Sequence, residues 1–480
     1  MNIKSNYFFN TINQLLTMVV SIITVPYVSR VLGATNIGIY SYTYSIAAYF
    51  VMFIVLGLNN YGNREVAKVK QDQKTLNRTF TGIYAMQFIC GCIVLVAYVA
   101  YVIFIVKEYK GIFYLQLLYV ISGILDINWA MYGLEEFKVT SVKNMILTIL
   151  NFIAIFIFVK NENSLHIYTF ILSMGFVLNQ LVAWRYIRKR INFCKISLSE
   201  IYIHIKPNLI LFVPIVAVSL YKIMDKIMLG KMSNMAQVGF YESSEKIIRV
   251  PTVLVSSLGT VMLPRMSSLY ANGNFNKGEE YIRKSIGIAI LLSSSLCFGI
   301  MAISREFVPL FYGNGYEECV YIYLALLPSC LFLAFSSVIR TQYLIPVGRD
   351  KVFIKAVIAG AIVNILFNLI LIPKMNAVGA ALGTFMAETS VCISQAIDIR
   401  DELPIKQYLI NSFPFVMLGI VMFAIIYVIN FKINLLLQLL VKIVIGVFIY
   451  VVGTIGILWI KKDLYSVELE HILRNKETGK

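Results

Sequence analysis

Long apolar runs alternate with short polar segments along almost the whole chain. Each run of about 20 residues matches the roughly 30 Å of hydrocarbon in a bilayer, and lipid offers no partner for unpaired backbone groups. The runs show no strand-like alternation of the kind found in β-barrels. This pattern predicts an all-α integral membrane protein with fourteen transmembrane helices, at about residues 8–29, 37–58, 81–106, 112–133, 141–159, 165–184, 208–229, 238–261, 285–303, 320–345, 353–372, 377–397, 408–430 and 434–460.

The positions of Lys and Arg predict the orientation. Positive charge gathers in the segments 59–80, 185–206 and 262–284, and loops that are rich in Lys and Arg stay in the cytoplasm. An even number of helices with both termini inside the cell fits all three segments. The sequence thus predicts a multi-pass protein of the cytoplasmic (inner) membrane, organised as an N-lobe at 1–190, a cytoplasmic linker at 191–207, a C-lobe at 208–400, helices 13 and 14 at 401–460 and a cytoplasmic tail at 461–480.

Composition agrees with a membrane protein and argues against other classes. Apolar residues make up 59% of the 480 residues and charged residues 14%, with a mean hydropathy of +0.77. The net charge of +17 is spread between the apolar runs instead of forming one patch, so nucleic acid is not expected as a partner. The seven cysteines are scattered and form no CxxC pair, which argues against a zinc site or a disulfide framework. No cofactor and no metal is expected.

A weak internal repeat marks the start of each half of the chain. Leu32 and Gly33 are followed by Gly38, Tyr40 and Ser41, and in the second half Leu229 and Gly230 are followed by Gly239, Tyr241 and Ser243. Each set falls between the first and second helix of a six-helix half. Such placement is typical of transporters that are built from two repeated bundles.

Charged residues inside apolar helices are the candidate functional residues, since a charge in lipid is costly unless it faces a partner or a water-filled cavity. The eighth helix places four of them at a spacing that puts them on one face, and the seventh helix adds three at similar depth. A partly cationic lining of this kind suits an anionic substrate. The candidate substrate-binding residues are Lys222, Asp225, Lys226, Glu242, Glu245, Lys246 and Arg249.

Two simpler explanations remain open for the eighth helix. Glu242 and Lys246 could pair within the helix, or the stretch could lie at the membrane interface. Arg249 is harder to explain in this way, because it precedes Pro251 and an apolar run. It has no acidic residue at i+3 or i+4, whereas Lys246 has Glu242 one turn before it, so we expect removal of charge to matter more at Arg249.

Two carboxylates stand alone near mid-membrane by residue count, Asp126 and Glu388. Either is a candidate for coupling transport to protons or sodium, and for each the alternative is a structural hydrogen bond to a neighbouring hydroxyl or amide such as Asn128. Arg30 and Arg64 lie in motif-like stretches and are candidate gating residues. Their alternative role is to anchor helix ends to carbonyls or headgroups.

Several stretches together resemble the Wzx-type (RfbX-like) polysaccharide flippases of the multidrug, oligosaccharidyl-lipid and polysaccharide exporter superfamily. They are VPYVSRVLG at 25–33 with GIYSY at 38–42, LGLNNYGNREVA at 56–67, YKIMDKIMLG at 221–230 followed by VGFYESSEKI at 238–247, VMLPRMS at 261–267 and AVGAALGTFMAE at 377–388.

The resemblance implies two pseudo-symmetric six-helix lobes in a V shape, as in the MATE fold, with two added C-terminal helices. It also implies alternating access and an undecaprenyl-diphosphate-linked oligosaccharide as substrate, for capsule, O-antigen or exopolysaccharide synthesis. The expected partners are this lipid-linked substrate, membrane lipids and the polysaccharide polymerase machinery. Between Lys4 and Arg30 the first helix carries no charge, which departs from cation-coupled drug exporters and from lipid II flippases.

Two other functions are open at this point. A cation-coupled multidrug antiporter on the same fold would need a cavity carboxylate, for which Asp126 and Glu388 are the mid-membrane candidates. A membrane enzyme would need an acid, base or metal on an outer loop, and the longest outer segment, about 304–319, offers Glu306 among its acids but no histidine. We therefore expect a protein that is not an enzyme.

Overall fold

The computed structural model describes residues 3–460, and within that range every regular element is a helix. The predicted tail at 461–480 lies outside the described residues. The α-helices are α1 Ile3–Val55, α2 Leu58–Val69, α3 Gln73–Phe104, α4 Lys110–Ile124, α5 Asn128–Gly133, α6 Phe137–Phe158, α7 Leu165–Ile187, α8 Leu198–Tyr202, α9 Ile205–Lys222, α10 Met224–Met232, α11 Met235–Ala271, α12 Phe275–Tyr312, α13 Glu318–Leu326, α14 Ser329–Ile339, α15 Ile345–Val347, α16 Asp350–Ile399, α17 Ile405–Val428 and α18 Leu435–Ile460.

Twelve segments of the described chain are long and apolar enough to cross a membrane. Two of them are much longer than one crossing needs, 12–69 with 58 residues and 350–399 with 50 residues. Each contains a residue with non-helical backbone angles, Gly33 (φ 75°, ψ 167°) in α1 and Asn376 (φ 50°, ψ −127°) in α16. A continuous helix of 50 residues would measure about 75 Å, more than twice the hydrocarbon thickness. The count of fourteen crossings stays a prediction.

Several predicted helices are interrupted in the structure. The predicted helix 112–133 divides into α4 and α5 around Asp126, and the predicted helix 208–229 divides into α9 and α10 at Ile223. The predicted helix 320–345 divides into α13 and α14, followed by the π-helix Arg340–Leu344. Hydropathy alone misses such breaks, because the interrupting residues are themselves apolar or are satisfied by buried partners.

The chain forms two compact units, Met1–Glu242 and Ser243–Lys480. In the first unit, α1 packs against α3, α4, α6 and α10, and the aromatic rings of Phe80, Trp129 and Trp184 belong to one buried cluster. In the second unit, α12 packs against α14, α17 and α18. The boundary between the units falls within α11. The predicted lobes at 1–190 and 208–400 stay a prediction.

Candidate transport site

A cluster of charged and polar side chains lies where α10 and the start of α11 meet α1, all within the first unit. Lys226 Nζ lies 2.6 Å from Glu242 Oε2, and only 10% and 13% of the two side chains is exposed. The Ser41 hydroxyl donates a second hydrogen bond to the same carboxylate oxygen, at 2.9 Å. A carboxylate with a cation and a hydroxyl as partners is stabilised in its charged form inside a protein.

Asp225 is held next to this ion pair by a separate contact. The Tyr241 hydroxyl donates to Asp225 Oδ2 at 2.8 Å, and both residues are buried. Asp225 lies in the first turn of α10, where a negative charge is favoured by the helix dipole. A new helix, α10, therefore begins after the break, and its first turn carries Asp225 and Lys226 next to α11.

Two glycines allow α11 to approach α1 at backbone distance. A Cβ atom on Gly38 would overlap the carbonyl oxygen of Met235, and a Cβ atom on Gly239 would overlap the carbonyl oxygen of Ala34. The contact is reciprocal. Gly38 meets Met235, which is four positions before Gly239, and Gly239 meets Ala34, which is four positions before Gly38. The two glycines are equivalent positions of the internal repeat, so the repeated segments pack against each other here, with no room for a side chain at either position.

The second unit begins with the other charged residues of the predicted site. Arg249 Nη2 lies 3.2 Å from Glu245 Oε1, one helical turn before it; 64% of the arginine side chain is exposed and 24% of the glutamate. Arg249 has no acidic residue at i+3 or i+4, as the sequence shows, but it has an acidic partner at i−4 that the sequence analysis did not consider. Lys246 is half-buried, and Lys222 of the first unit is exposed.

Asp126 lies in the break between α4 and α5. Its Oδ1 accepts hydrogen bonds from the backbone N and the side-chain Nδ2 of Asn128, at 2.9 and 2.7 Å. Lys143 Nζ donates to Asn128 Oδ1 at 3.0 Å. The structural alternative to coupling, a bond to Asn128, is thus present, and Lys143 is a buried cation that the sequence analysis missed.

A buried glutamine satisfies the carbonyl groups that the break in this helix frees. Gln87 Nε2 donates to the carbonyl oxygens of Gly123 and Asp126, at 2.9 and 2.8 Å, and its Oε1 accepts from Trp129 Nε1 at 2.9 Å. Such side-chain partners are what allow a helix to break at membrane depth. They fix the position of Asp126 within the first unit.

The remaining predicted residues lie apart from the Lys226 cluster. Glu388 is buried in the second half of α16. Arg30 is exposed on α1. Arg64 on α2 is also exposed and lies 3.2 Å from Glu65 Oε1. Among the described residues, no group of His, Cys, Asp and Glu side chains is arranged to hold a metal ion.

A second buried ion pair was missed by the sequence analysis. Lys442 Nζ on α18 lies 2.7 Å from Glu306 Oε1 on α12, and Gln438 Nε2 donates to the same oxygen at 2.9 Å. The two charged side chains are only 2% and 6% exposed. Glu306 therefore lies inside a helix and not on an outer loop, as the predicted segment 304–319 implied. The signal that could have found it is Lys442, a single charge within an apolar run.

Comparison with known proteins assigns the chain to a family. The family model described as "Polysaccharide biosynthesis protein" matches residues 3–270, which is more than half of the chain. The chain belongs to this polysaccharide biosynthesis protein family.

Its relatives include proteins named for O-antigen transport and for capsular polysaccharide biosynthesis. It is 21% identical over 406 residues to an Escherichia coli K12 protein named "Putative O-antigen transporter", with 84% of this chain and 97% of the relative covered. It is 20% identical over 396 residues to the Staphylococcus aureus "Capsular polysaccharide biosynthesis protein CapF", with 81% and 96% covered.

Solved structures show the same fold. The inward closed conformation of the lipid II flippase MurJ superposes with a TM-score of 0.74 at 16% identity, covering 93% of this chain and 98% of MurJ. An inward-facing MATE-family multidrug resistance transporter of the MOP superfamily gives a TM-score of 0.59 at 15% identity, covering 80% and 97%. At these identities the likeness concerns the fold alone. Both transporters thus share the all-helical fold of this chain, as the resemblance implied.

Proposed function

We propose that this protein flips undecaprenyl-diphosphate-linked oligosaccharides from the cytoplasmic to the outer leaflet of the cell membrane by alternating access, for capsule, O-antigen or exopolysaccharide synthesis. The observation that carries the proposal is the buried Lys226–Glu242 pair with Ser41, in a protein whose relatives are named for O-antigen transport and capsular polysaccharide biosynthesis. Charged residues within membrane-spanning helices are rare, and they commonly mark the pathway of a substrate or an ion.

In this proposal the basic residues of the seventh and eighth predicted helices attract the diphosphate or acidic sugars of the substrate. Lys222, Lys226, Lys246 and Arg249 supply positive charge, and Asp225, Glu242 and Glu245 neutralise part of it. Arginine is the best suited of these to a diphosphate, because its guanidinium forms two parallel hydrogen bonds. The exposure of Arg249 in the second unit supports this role, since an exposed guanidinium is accessible to a ligand.

The experiment measures export of a surface polymer in a strain whose own flippase gene is deleted and replaced by variants of this chain. Arg249→Ala should lower export by roughly tenfold or more, because a hydrogen bond to a charged group contributes about 1.5–3 kcal/mol. Arg249→Lys should restore only part of the loss. Lys432→Ala is the matched control, since Lys432 is an exposed cation in the segment between α17 and α18.

The Glu245 contact requires one further variant. If Arg249 serves only to neutralise Glu245, then adding Glu245→Gln to Arg249→Ala should restore export. If Arg249 binds substrate, the double variant should stay defective. Normal export by Arg249→Ala at equal protein level would exclude the substrate role.

The proposed topology has fourteen crossings, two six-helix lobes and both termini in the cytoplasm. The two long segments of α1 and α16, each interrupted by a non-helical residue, support a count above twelve. A cysteine introduced in the segment 185–206 should resist an impermeant thiol reagent in intact cells. Labelling there would show that this segment lies outside the cell and would contradict the proposed orientation.

We also propose that Asp126 or Glu388 couples transport to a proton or sodium gradient. The support for Asp126 is its place at a helix break near a buried cation, Lys143. Both groups bond to Asn128, so protonation of Asp126 would change the charge of this hydrogen-bonded group.

The polysaccharide polymerase machinery would receive the flipped units.

A further inference from the structure

A cavity of about 450 Å³ opens on the first unit at the end that carries the basic segment 185–206. Its lining comes from α3, α7, the residue after α4 and the chain that follows α7. The lining residues are Tyr84, Leu125, Leu181, Trp184, Arg185, Arg188 and Phe193. None of them belongs to the proposed transport site.

Aromatic contacts give the cavity a fixed wall. Trp184 is buried, and its Nε1 donates to the Leu125 carbonyl oxygen at 2.9 Å. The Phe193 ring stacks on Trp184 with centroids 5.9 Å apart, and the Tyr84 ring meets Trp184 edge-on at 4.7 Å. Because the tryptophan is held by both a hydrogen bond and two rings, the wall is preorganised for a ligand.

The cavity carries two arginines that form no ion pair within the described residues 3–460. Some other cations at this end of the unit are paired: Arg190 lies 2.8 Å from Glu136, and Lys70 lies 2.7 Å from Glu135. Arg185 and Arg188, by contrast, have no carboxylate within ion-pair distance among the residues that the structure describes.

Arg185 lies in the last turn of α7, and Arg188 is the residue that follows the helix with helical backbone angles. Because they are three residues apart, they lie on the same side, where both can reach one anion. The rim of the same cavity is apolar and exposed. Leu181 and Phe193 are 50% and 55% exposed, which suits contact with acyl chains at the membrane interface.

We propose that this cavity binds the headgroup phosphate of an anionic phospholipid, with Arg185 and Arg188 on the phosphate and Leu181 and Phe193 against the acyl chains. Basic pockets between helices on the cytoplasmic side of a membrane protein are suited to such headgroups. About 450 Å³ is sufficient for a small headgroup with its phosphate. The site does not depend on the transported substrate, and its place on the cytoplasmic side rests on the topology proposed above.

The test uses the full-length purified protein and counts bound lipids by native mass spectrometry. Phosphatidylglycerol is compared with phosphatidylcholine of the same acyl chains. The variant is Arg185→Gln combined with Arg188→Gln. The matched control is Lys189→Gln, since Lys189 is an adjacent exposed cation outside the cavity lining.

Phosphatidylglycerol should bind more tightly than phosphatidylcholine. Affinity for phosphatidylglycerol should fall about fivefold for each arginine removed and about thirtyfold for both. Lys189→Gln should change it little. Equal affinity in the double variant and the control would overturn the site.

A second measurement places the lipid at the aromatic wall. Phosphatidylglycerol with bromine atoms on its acyl chains should quench the fluorescence of a Trp459→Phe variant more strongly than that of a Trp184→Phe, Trp459→Phe variant, in which the buried Trp129 is the remaining tryptophan. The difference reports on Trp184, and the double arginine variant should lose most of it. Undecaprenyl diphosphate is the third ligand to be tested. If it displaces phosphatidylglycerol from the intact cavity at lower concentration, the site belongs to the substrate and the phospholipid assignment is wrong.

Discussion

The ion pair between Lys226 and Glu242 gives a prediction about stability that is separate from transport. Replacing Lys226 by Met removes the ammonium group that lies 2.6 Å from the Glu242 carboxylate and keeps the hydrogen bond from the Ser41 hydroxyl. Removing one partner of a buried pair typically costs about 3–5 kcal/mol, and because these side chains keep 10% and 13% exposure we expect about 3 kcal/mol. Glu242→Gln should cost a similar amount, since it removes the carboxylate that lies 2.6 Å from the buried Lys226 ammonium.

The double variant carries the decisive information. In Lys226→Met with Glu242→Gln, neither group is charged, so no charge is left unpaired and the loss should be smaller than for either single change. The coupling between the two positions should reach about 2–3 kcal/mol, near the upper end of what contacting residues show.

Thermal unfolding of the purified protein in detergent measures this. For a unit of the size of Met1–Glu242, about 3 kcal/mol corresponds to a fall in melting temperature of roughly 6–12 °C. The matched control is Lys70→Met, which breaks the exposed pair with Glu135 and should leave the melting temperature nearly unchanged. If the loss of stability in the double variant equals the sum of the losses in the two single variants, the pair does not hold α10 to α11 and the reasoning fails.

Three further predictions concern other contacts. Gly239→Ala should reduce export and lower the melting temperature, because its methyl group would overlap the Ala34 carbonyl oxygen. The control is Gly456→Ala in α18, whose added Cβ would meet no atom within 4 Å and whose backbone does not require a glycine. Lys442→Met should lower stability by about 3 kcal/mol or more by leaving Glu306 with Gln438 alone, and Lys442→Arg should restore most of it. Asp126→Asn keeps a side-chain oxygen that can accept the hydrogen bonds from Asn128, so the protein should fold. If Asp126 is the coupling residue, export by this variant should no longer respond to imposed gradients of protons or sodium.

The sequence by itself indicated the class of protein and the residues that needed explanation. Apolar runs long enough to cross a bilayer have no other stable environment, so the all-helical membrane fold follows from hydropathy alone. The same cost singles out Lys226 and Glu242 in apolar helices, since a charge there must find a partner. The repeat of glycines at 38 and 239 was also visible along the chain, but the contact that it makes was not.

Only the tertiary structure decided which partner each charge finds. The rule of one helical turn connects Glu242 with Lys246, yet the structure places Lys226 of another helix 2.6 Å away. Breaks at Ile223 and Asp126 escaped detection because distant side chains such as Gln87 stabilise them, and such long-range partners leave no local pattern. Lys442 finds Glu306 across 136 residues for the same reason. The apolar composition of a segment thus determines whether it enters the membrane. The pairing of polar groups inside depends on helix packing, which brings together residues that are far apart in the chain.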